Sequence, residues 1–369
     1  MQPPANGRKR ALFVSPEKPG LGMGGGALRS ESLLQYLRRD YDVDIVTFTL
    51  REHSKSLASR VTRNAIRLLK NAPPLFDRYS GYEDQLPQGP YDLAVVEHFW
   101  CASYADALRT RASRLVLDLH NIESELAATH ARSVTGPKRW ASERFAAMYR
   151  SLEQEWLPKF DTLLVTSDAD RARLIHPDIR LFPNGVPRAP LPSVAERAAV
   201  VFSGNLEYHP NIEAVRWFAR SIWPGLSSEL PRAEWRLIGR NAHAIAATVH
   251  GLPNTTIVGP VDDAISAIAE GRVCVVPLLS GSGTRFKILE AWAAGRAVVS
   301  TTLGAEGLGA IHGEHLLVAD SAAEFTQAIL RVWKDDALRL QLAQAGRARY
   351  EQQFTWDAVW RHLDDSGGV

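Results

Sequence analysis

A lysine and a glutamate three residues apart, Lys287 and Glu290, follow the small-residue loop Ser280-Gly281-Ser282-Gly283-Thr284 and an apolar run that ends at Pro277. Small residues opening a helix leave backbone N–H groups unpaired at its positive end, a combination that suits a diphosphate. A helix starting near Gly283 would place Thr284, Lys287, Glu290, Ala291 and Ala294 on one face. A cation and a carboxylate then look out together. An ordinary surface ion pair has the same spacing, but such a face usually carries further long charged side chains, whereas Ala291, Ala294 and Gly295 keep this one narrow.

Two other segments carry residues able to do chemistry. Between Pro19 and Ser30 lie Gly20, Gly22, Gly24, Gly25 and Gly26. Gly20, Gly22 and Gly25 fit a dinucleotide fingerprint, but Pro16 and Pro19 push the loop well past Val14 and no acid closes the second apolar run. Both features disfavour a nicotinamide dehydrogenase. A flexible surface loop would look similar. The run Leu115-Val116-Leu117-Asp118-Leu119-His120 delivers His120 to the carboxyl end of a strand, where a histidine serves either as a structural hydrogen-bonder or as a substrate contact. Asp118 alternates away from Leu117 and Leu119 and is expected to cap the following turn. Glu97 and His98 end another run and are weaker candidates for an acceptor side.

These residues need rigid carriers. Apolar runs at Ala11 to Ser15, Val43 to Thr49, Leu93 to Glu97, Leu115 to Leu119 and Thr162 to Ser167 alternate with amphipathic stretches. The pattern repeats at Val200 to Ser203, Trp235 to Gly239, Thr255 to Val258, Val273 to Pro277, Ala297 to Ser300 and His315 to Val318. Such runs read as strands buried on both faces of parallel sheets, and 369 residues suit two domains better than one. The proline-rich stretch Phe182 to Pro192, with Asn184-Gly185, reads as a hinge. The expected domains are 1–185, 186–350 and a returning C-terminal helix over 351–369, opened by a Thr355 cap before Trp356 and Trp360. An α/β chain of two Rossmann-like domains facing across a cleft would bind its ligand at the carboxyl ends of the strands.

A net charge of +2 gives no global pull toward nucleic acid, and two cysteines, Cys101 and Cys274, exclude a zinc cluster built on them. No signal-peptide core or membrane-length apolar run is present, so a cytoplasmic protein is expected. The remaining tryptophans and Tyr41 read as packing.

The stretch Val275 to Leu308, with Gly283-Thr284-Arg285-Phe286-Lys287-Ile288-Leu289-Glu290-Ala291 and then Val298 to Leu308, resembles the retaining GT-B glycosyltransferases of family 4. Phe202 to Asn211, Ile238-Gly239-Arg240-Asn241 and Leu181 to Val186 carry the same resemblance. It implies transfer of a sugar from a nucleotide-diphosphate donor, with retention, to a glycan, lipid-linked or small-molecule acceptor, without metal or other cofactor. Glu290 would bind the donor ribose, and Gly24, Gly25, Gly26, Gly204, Gly283, Thr284, Arg285 and Lys287 would line the donor. His120 and Lys287 would be catalytic, His120 contacting the sugar. Where the family has the first glutamate of a pair, this sequence has Ser282, and the Gly204 to Asn211 loop lacks the usual Arg and Lys, for which Arg285 and Lys287 would substitute. A sugar-nucleotide epimerase and a non-catalytic sugar-nucleotide-binding protein are the alternatives on the same architecture.

One surface is patterned as well. Over Leu57 to Lys70, Arg60, Arg63, Arg67 and Lys70 gather on one helical face with Asn64, opposite Leu57, Val61, Ala65, Leu68 and Leu69. The expected arrangement has the apolar face packed on its own sheet and the basic face in water. The alternative is peripheral contact with anionic lipid at the inner face of the cytoplasmic membrane.

Overall fold

The structure is a computed structural model that describes residues 7–16, 18–20, 25–50, 56–281 and 285–369. The chain divides into two compact units, Met1–Pro183 with Trp360–Val369, and Asn184–Val359.

In the first unit six strands run in the order β2-β1-β3-β4-β5-β6, every pairing parallel: β1 (Lys9–Ser15), β2 (Tyr41–Thr47), β3 (Tyr91–Glu97), β4 (Ala112–Asp118), β5 (Thr162–Val165) and β6 (Ile179–Leu181). Ala11, Leu12, Phe13 and Val14 are 0% exposed, as a central strand covered by helices on both faces requires. The apolar run expected at Val43 to Thr49 differs. It starts at Tyr41, pairs only with β1, and turns Asp42, Asp44, Ile45 and Thr47 to water, because an edge strand lacks cover on one side. Asp44 there pairs with Arg10 at 2.8 Å.

The second unit repeats the plan with the order β12-β11-β10-β7-β8-β9, again all parallel: β7 (Ala199–Ser203), β8 (Glu234–Ile238), β9 (Thr255–Gly259), β10 (Val273–Val276), β11 (Ala297–Ser300) and β12 (Leu317–Val318). Trp223, Trp235 and Trp292 are fully buried in this unit, and Cys274 sits in the buried β10.

Both sheets reverse direction beside their first strand. In the first unit the chain leaves β1 on one side for β2 and returns on the other for β3; in the second it leaves β7 for β8 and returns for β10. Loops diverge at such a switch point and open a crevice at the strands' carboxyl ends. Helix α1 (Gly25–Leu37), His98 and His120 follow β1, β3 and β4, while Gly204 and the 277–285 segment follow β7 and β10. The topology thus sets every described candidate residue at one of two crevices.

The last helix, Trp356–Asp365, is capped as expected: the Thr355 hydroxyl accepts the Ala358 N–H at 3.3 Å. Its Trp360 indole donates to Ser32, Tyr36 donates to Asp364 at 2.6 Å, and Arg39 pairs with Asp364, all within the first unit. No helix among the described residues is long and apolar enough to cross a membrane.

Candidate functional site

At the switch point of the second unit, β7 ends in Phe202-Ser203 and turns at Gly204, whose φ of +137 is open to glycine and strained for other residues. A second reason for glycine is space. A Cβ on Gly204 would lie 2.0 Å from Lys287 Nζ, so the ammonium rests directly against the bare backbone. Gly239, at the end of β8, is needed in turn, since its Cβ would meet the Gly204 carbonyl at 1.8 Å.

Lys287 comes from the helix Phe286–Ala293, which begins three residues after the expected start at Gly283, with Arg285 at its cap position. Ser282, Gly283 and Thr284 lie outside the described residues. Lys287 and Glu290, three apart, still share that face, both half-buried. Lys287 Nζ lies 5.1 Å from the Phe202 ring centroid and, among the described residues, makes no ion pair. Burial and the Arg285 charge push its pKa down to about 8 against the pull of Glu290. Burial raises Glu290, opposed by Lys287 and a hydrogen bond with Ser203. Arg285 is arranged otherwise: 5% exposed, its guanidinium turns to Glu306 at 3.2 Å and to the Gly281 carbonyl, tying the loop to the segment after β11. Ser280 donates to Glu213, anchoring the loop's other end.

The first unit holds a denser cluster. β3 and β4 pair Glu97 with Asp118, and just past the strand ends His98, one residue after Glu97, and His120, two after Asp118, bring their rings together at a tilt of 34° with centroids 3.6 Å apart. His98 has φ +61, outside the ordinary range of a side-chain-bearing residue. Asp118 does not cap a turn. It is fully buried and bound by Arg29 of α1, whose Nε reaches both carboxylate oxygens, at 2.9 and 3.2 Å, and whose Nη2 adds a further contact. A strand-end carboxylate facing a helix at the switch point is too buried to meet solvent-exposed N–H groups, so the guanidinium replaces the cap. Burial draws the Asp118 carboxyl up, but Arg29 and His120 overcome it and hold it well below the carboxylate range. His120 moves up, burial being outweighed by Asp118 and Glu97; His98 moves well down through burial and the neighbouring ring.

Glu97, Asp118 and His120 place three ligand-type atoms within 4.8 Å of one another, the one such cluster among the described residues. Asp118 is already engaged by Arg29. Of the glycine loop, Gly25 and Gly26 open α1, and a Cβ on Gly26 would lie 3.7 Å from His120 Nδ1; Gly24 lies outside the described residues. The sequence reading missed Arg29. Its signal was a charge on the buried stripe of α1 shared with Leu33, Tyr36 and Leu37.

The basic helix also differs from expectation. In α2 (Leu57–Leu69), Val61, Ile66 and Leu69 are 61%, 44% and 87% exposed, and Ala65 is exposed with them. The polar side is divided: Arg67 pairs with Asp77 at 2.8 Å and Arg63 donates to Ser59 one turn back, both half-buried, while Asn64 and Lys70 are exposed. The Arg60 side chain lies outside the described residues.

Comparison with known proteins bears on the family and the fold. The model for glycosyltransferase family 4 matches residues 23–189 and that for glycosyl transferases group 1 matches residues 197–335. Sucrose-phosphate synthase from Thermosynechococcus elongatus shares the fold at a TM-score of 0.67 and 18% identity, over 97% of this chain and 98% of that one. HepE of Anabaena, solved with UDP-glucose, aligns at a TM-score of 0.63 and 16% identity over 97% and 99%. A curated relative, an uncharacterized 44.6 kDa protein in the cps region of Klebsiella pneumoniae, is 29% identical over 144 residues, and the match spans 37% of each chain. With a family model on each of its two sheets and this fold throughout, the chain belongs to the group 1 glycosyltransferases of GT-B architecture.

Proposed function

We propose that the protein transfers a sugar from a nucleotide-diphosphate donor, with retention, to a glycan, lipid-linked or small-molecule acceptor. The observation that carries the reading is Lys287: a half-buried ammonium held against the bare backbone of Gly204, with no carboxylate paired to it among the described residues and Glu290 on the same face. A cation kept partly desolvated is a strong partner for a diphosphate whose charge grows as it departs. Glu290 then accepts hydrogen bonds from the ribose hydroxyls, Gly25 and Gly26 approach the phosphates without side chains in the way, and His120 meets the sugar. The departing phosphate oxygen can take the acceptor's proton, which requires no second protein carboxylate and no metal.

A thermal-shift panel of UDP-, GDP-, ADP- and dTDP-sugars in EDTA, on wild type, Lys287→Ala and Glu290→Ala, tests this. One nucleotide class should raise the wild-type melting temperature and leave both variants unmoved. No stabilisation of a folded wild type by any of them would refute the donor site. Conversion of the donor with no acceptor would make the protein an epimerase, and binding without turnover a sensor.

A peripheral membrane contact belongs to the same proposal, favoured by the outward apolar stripe of α2 with Lys70 beside it. The helix Gly136–Trp156 extends this face: Arg144 donates to Asn71, and one turn away Trp140 is 60% exposed beside Lys138 and Arg139. Co-sedimentation with anionic but not zwitterionic vesicles, lost in Val61→Asp/Leu69→Asp, is the expected result; equal sedimentation of both proteins would end the idea.

A further inference from the structure

Glu97 is 0% exposed, and neither carboxylate oxygen has a hydrogen-bond partner among the described residues. A buried carboxylate left that way is strongly unfavourable, because its charge is taken out of water with nothing to offset it. Either a proton of its own or a protonated neighbour must offset it. Arg29 directs its donors to Asp118 and to the Phe182 carbonyl. The remaining neighbour is His120, whose Nε2 lies 3.5 Å from Glu97 Oε1 and 3.3 Å from Asp118 Oδ2.

We propose that Glu97 is a positioning residue for His120: with Asp118 it holds the ring as an imidazolium, Nε2–H between the two carboxylates and Nδ1–H presented beside Gly26. Glu97 and Asp118 bring two carboxylates and Arg29 one positive charge, so a single further proton makes the buried set neutral, and Nε2, with a carboxylate oxygen on either side at 3.5 and 3.3 Å, is the atom placed to hold it between them. A divalent cation in the same place, with the ring neutral, would leave an excess positive charge with no route to water. His98 cannot share the role, because a second imidazolium stacked at 3.6 Å would repel the first, and burial holds it neutral. From the other elements, Glu123 at the start of the helix Glu123–Ser133 is pushed up to about 7 by burial and by Glu153, and the buried Cys101 thiol is pushed up by burial and by Glu97. Glu153 is taken up by the Ser124 N–H and hydroxyl. None of these supplies the missing positive charge.

On this arrangement His120 is a fixed donor and not a base. Its Nδ1–H faces the first turn of α1, where backbone N–H groups also point outward, so an oxygen of the substrate is the group that fits between them. That last step rests on the reading that His120 meets the substrate; the protonation state does not.

The test is therefore made on the ligand-free protein. Histidine ring nitrogens are labelled with 15N and followed from pH 6 to 9.5, the His120 signals being assigned by their absence in His120→Gln. Both His120 nitrogens should stay protonated through neutrality, and Glu97→Gln should lower the midpoint by about 1–3 pH units, with Glu97→Asp restoring part of it. In turnover, the alkaline limb of kcat against pH should move down with the same variant. A wild-type His120 carrying one proton at pH 7 would overturn the proposal without any variant having to fold. Stoichiometric zinc or manganese retained by the wild type and lost in Glu97→Gln would overturn it in favour of a metal centre.

Discussion

In the first unit Arg29, Glu97, Asp118 and His120 are each under a tenth exposed and face one another. In the second, Lys287 and Glu290 remain half-buried, and the lysine has a bare glycine and an aromatic ring for company where a carboxylate would be expected. Both groups sit at the switch point of a six-stranded parallel sheet. The same topology thus carries two electrostatic solutions: a cluster completed from within, which fixes geometry, and a cation left incomplete, which a ligand can complete. The first should respond to substitution mainly through stability, and the second mainly through binding.

Arg29→Met is the sharpest way to break that contrast. It leaves Asp118 buried and uncompensated, and urea unfolding should show a loss of about 3–5 kcal/mol; a loss under 1 kcal/mol would mean the cluster does not hold the unit together. Lys287→Ala should do the reverse, lowering kcat/KM by roughly 100- to 1000-fold while the melting temperature stays level or rises. Gly204→Ala reaches the same lysine indirectly. Its Cβ would displace Nζ, and donor affinity should fall about tenfold (~1.4 kcal/mol) with Glu290 untouched.

The smallest effect is in pH. Burial depresses Lys287 from 10.5 to about 8 in the folded state, so below pH 8 the cost of holding it charged is fully present. That cost disappears as the pH rises from about 8 toward 10.5, where the unfolded chain also releases its proton. The melting temperature of wild type relative to Lys287→Met should therefore climb across that window. A flat difference would place the ammonium in water.

The inner strands of the sheets were legible because their apolar runs are buried on both faces. The run Val273 to Pro277 appears as Val273–Val276, and Ala297 to Ser300 reads the same in sequence and in structure. β6 escaped notice: three residues of intermediate burial at a sheet edge, with Pro177 before and Pro183 after, leave no periodicity to read. At the sites, Lys287, Glu290 and Gly204 come together as one group because spacing along one helix and one strand end largely fixes them. The Asp118 partner did not show, since Arg29 lies 89 residues away and only the packing of α1 on the sheet brings it there. The outward apolar stripe of α2, with Arg67 drawn in to Asp77, was equally hidden, because a helical wheel gives the faces and not the direction they look.

The last helix has a consequence for how the chain is made. Ser32 and Tyr36 of α1 find Trp360 and Asp364 some 328 residues later. At about 5–20 residues per second of synthesis, the first unit waits roughly 10–35 s, while the whole second unit emerges, before its final helix arrives. A nascent chain stalled after residue 183 would therefore present that flank of α1 open, as a ready target for holding factors at the ribosome. The second unit, whose residues 184–359 are contiguous, can close as soon as they leave the exit tunnel.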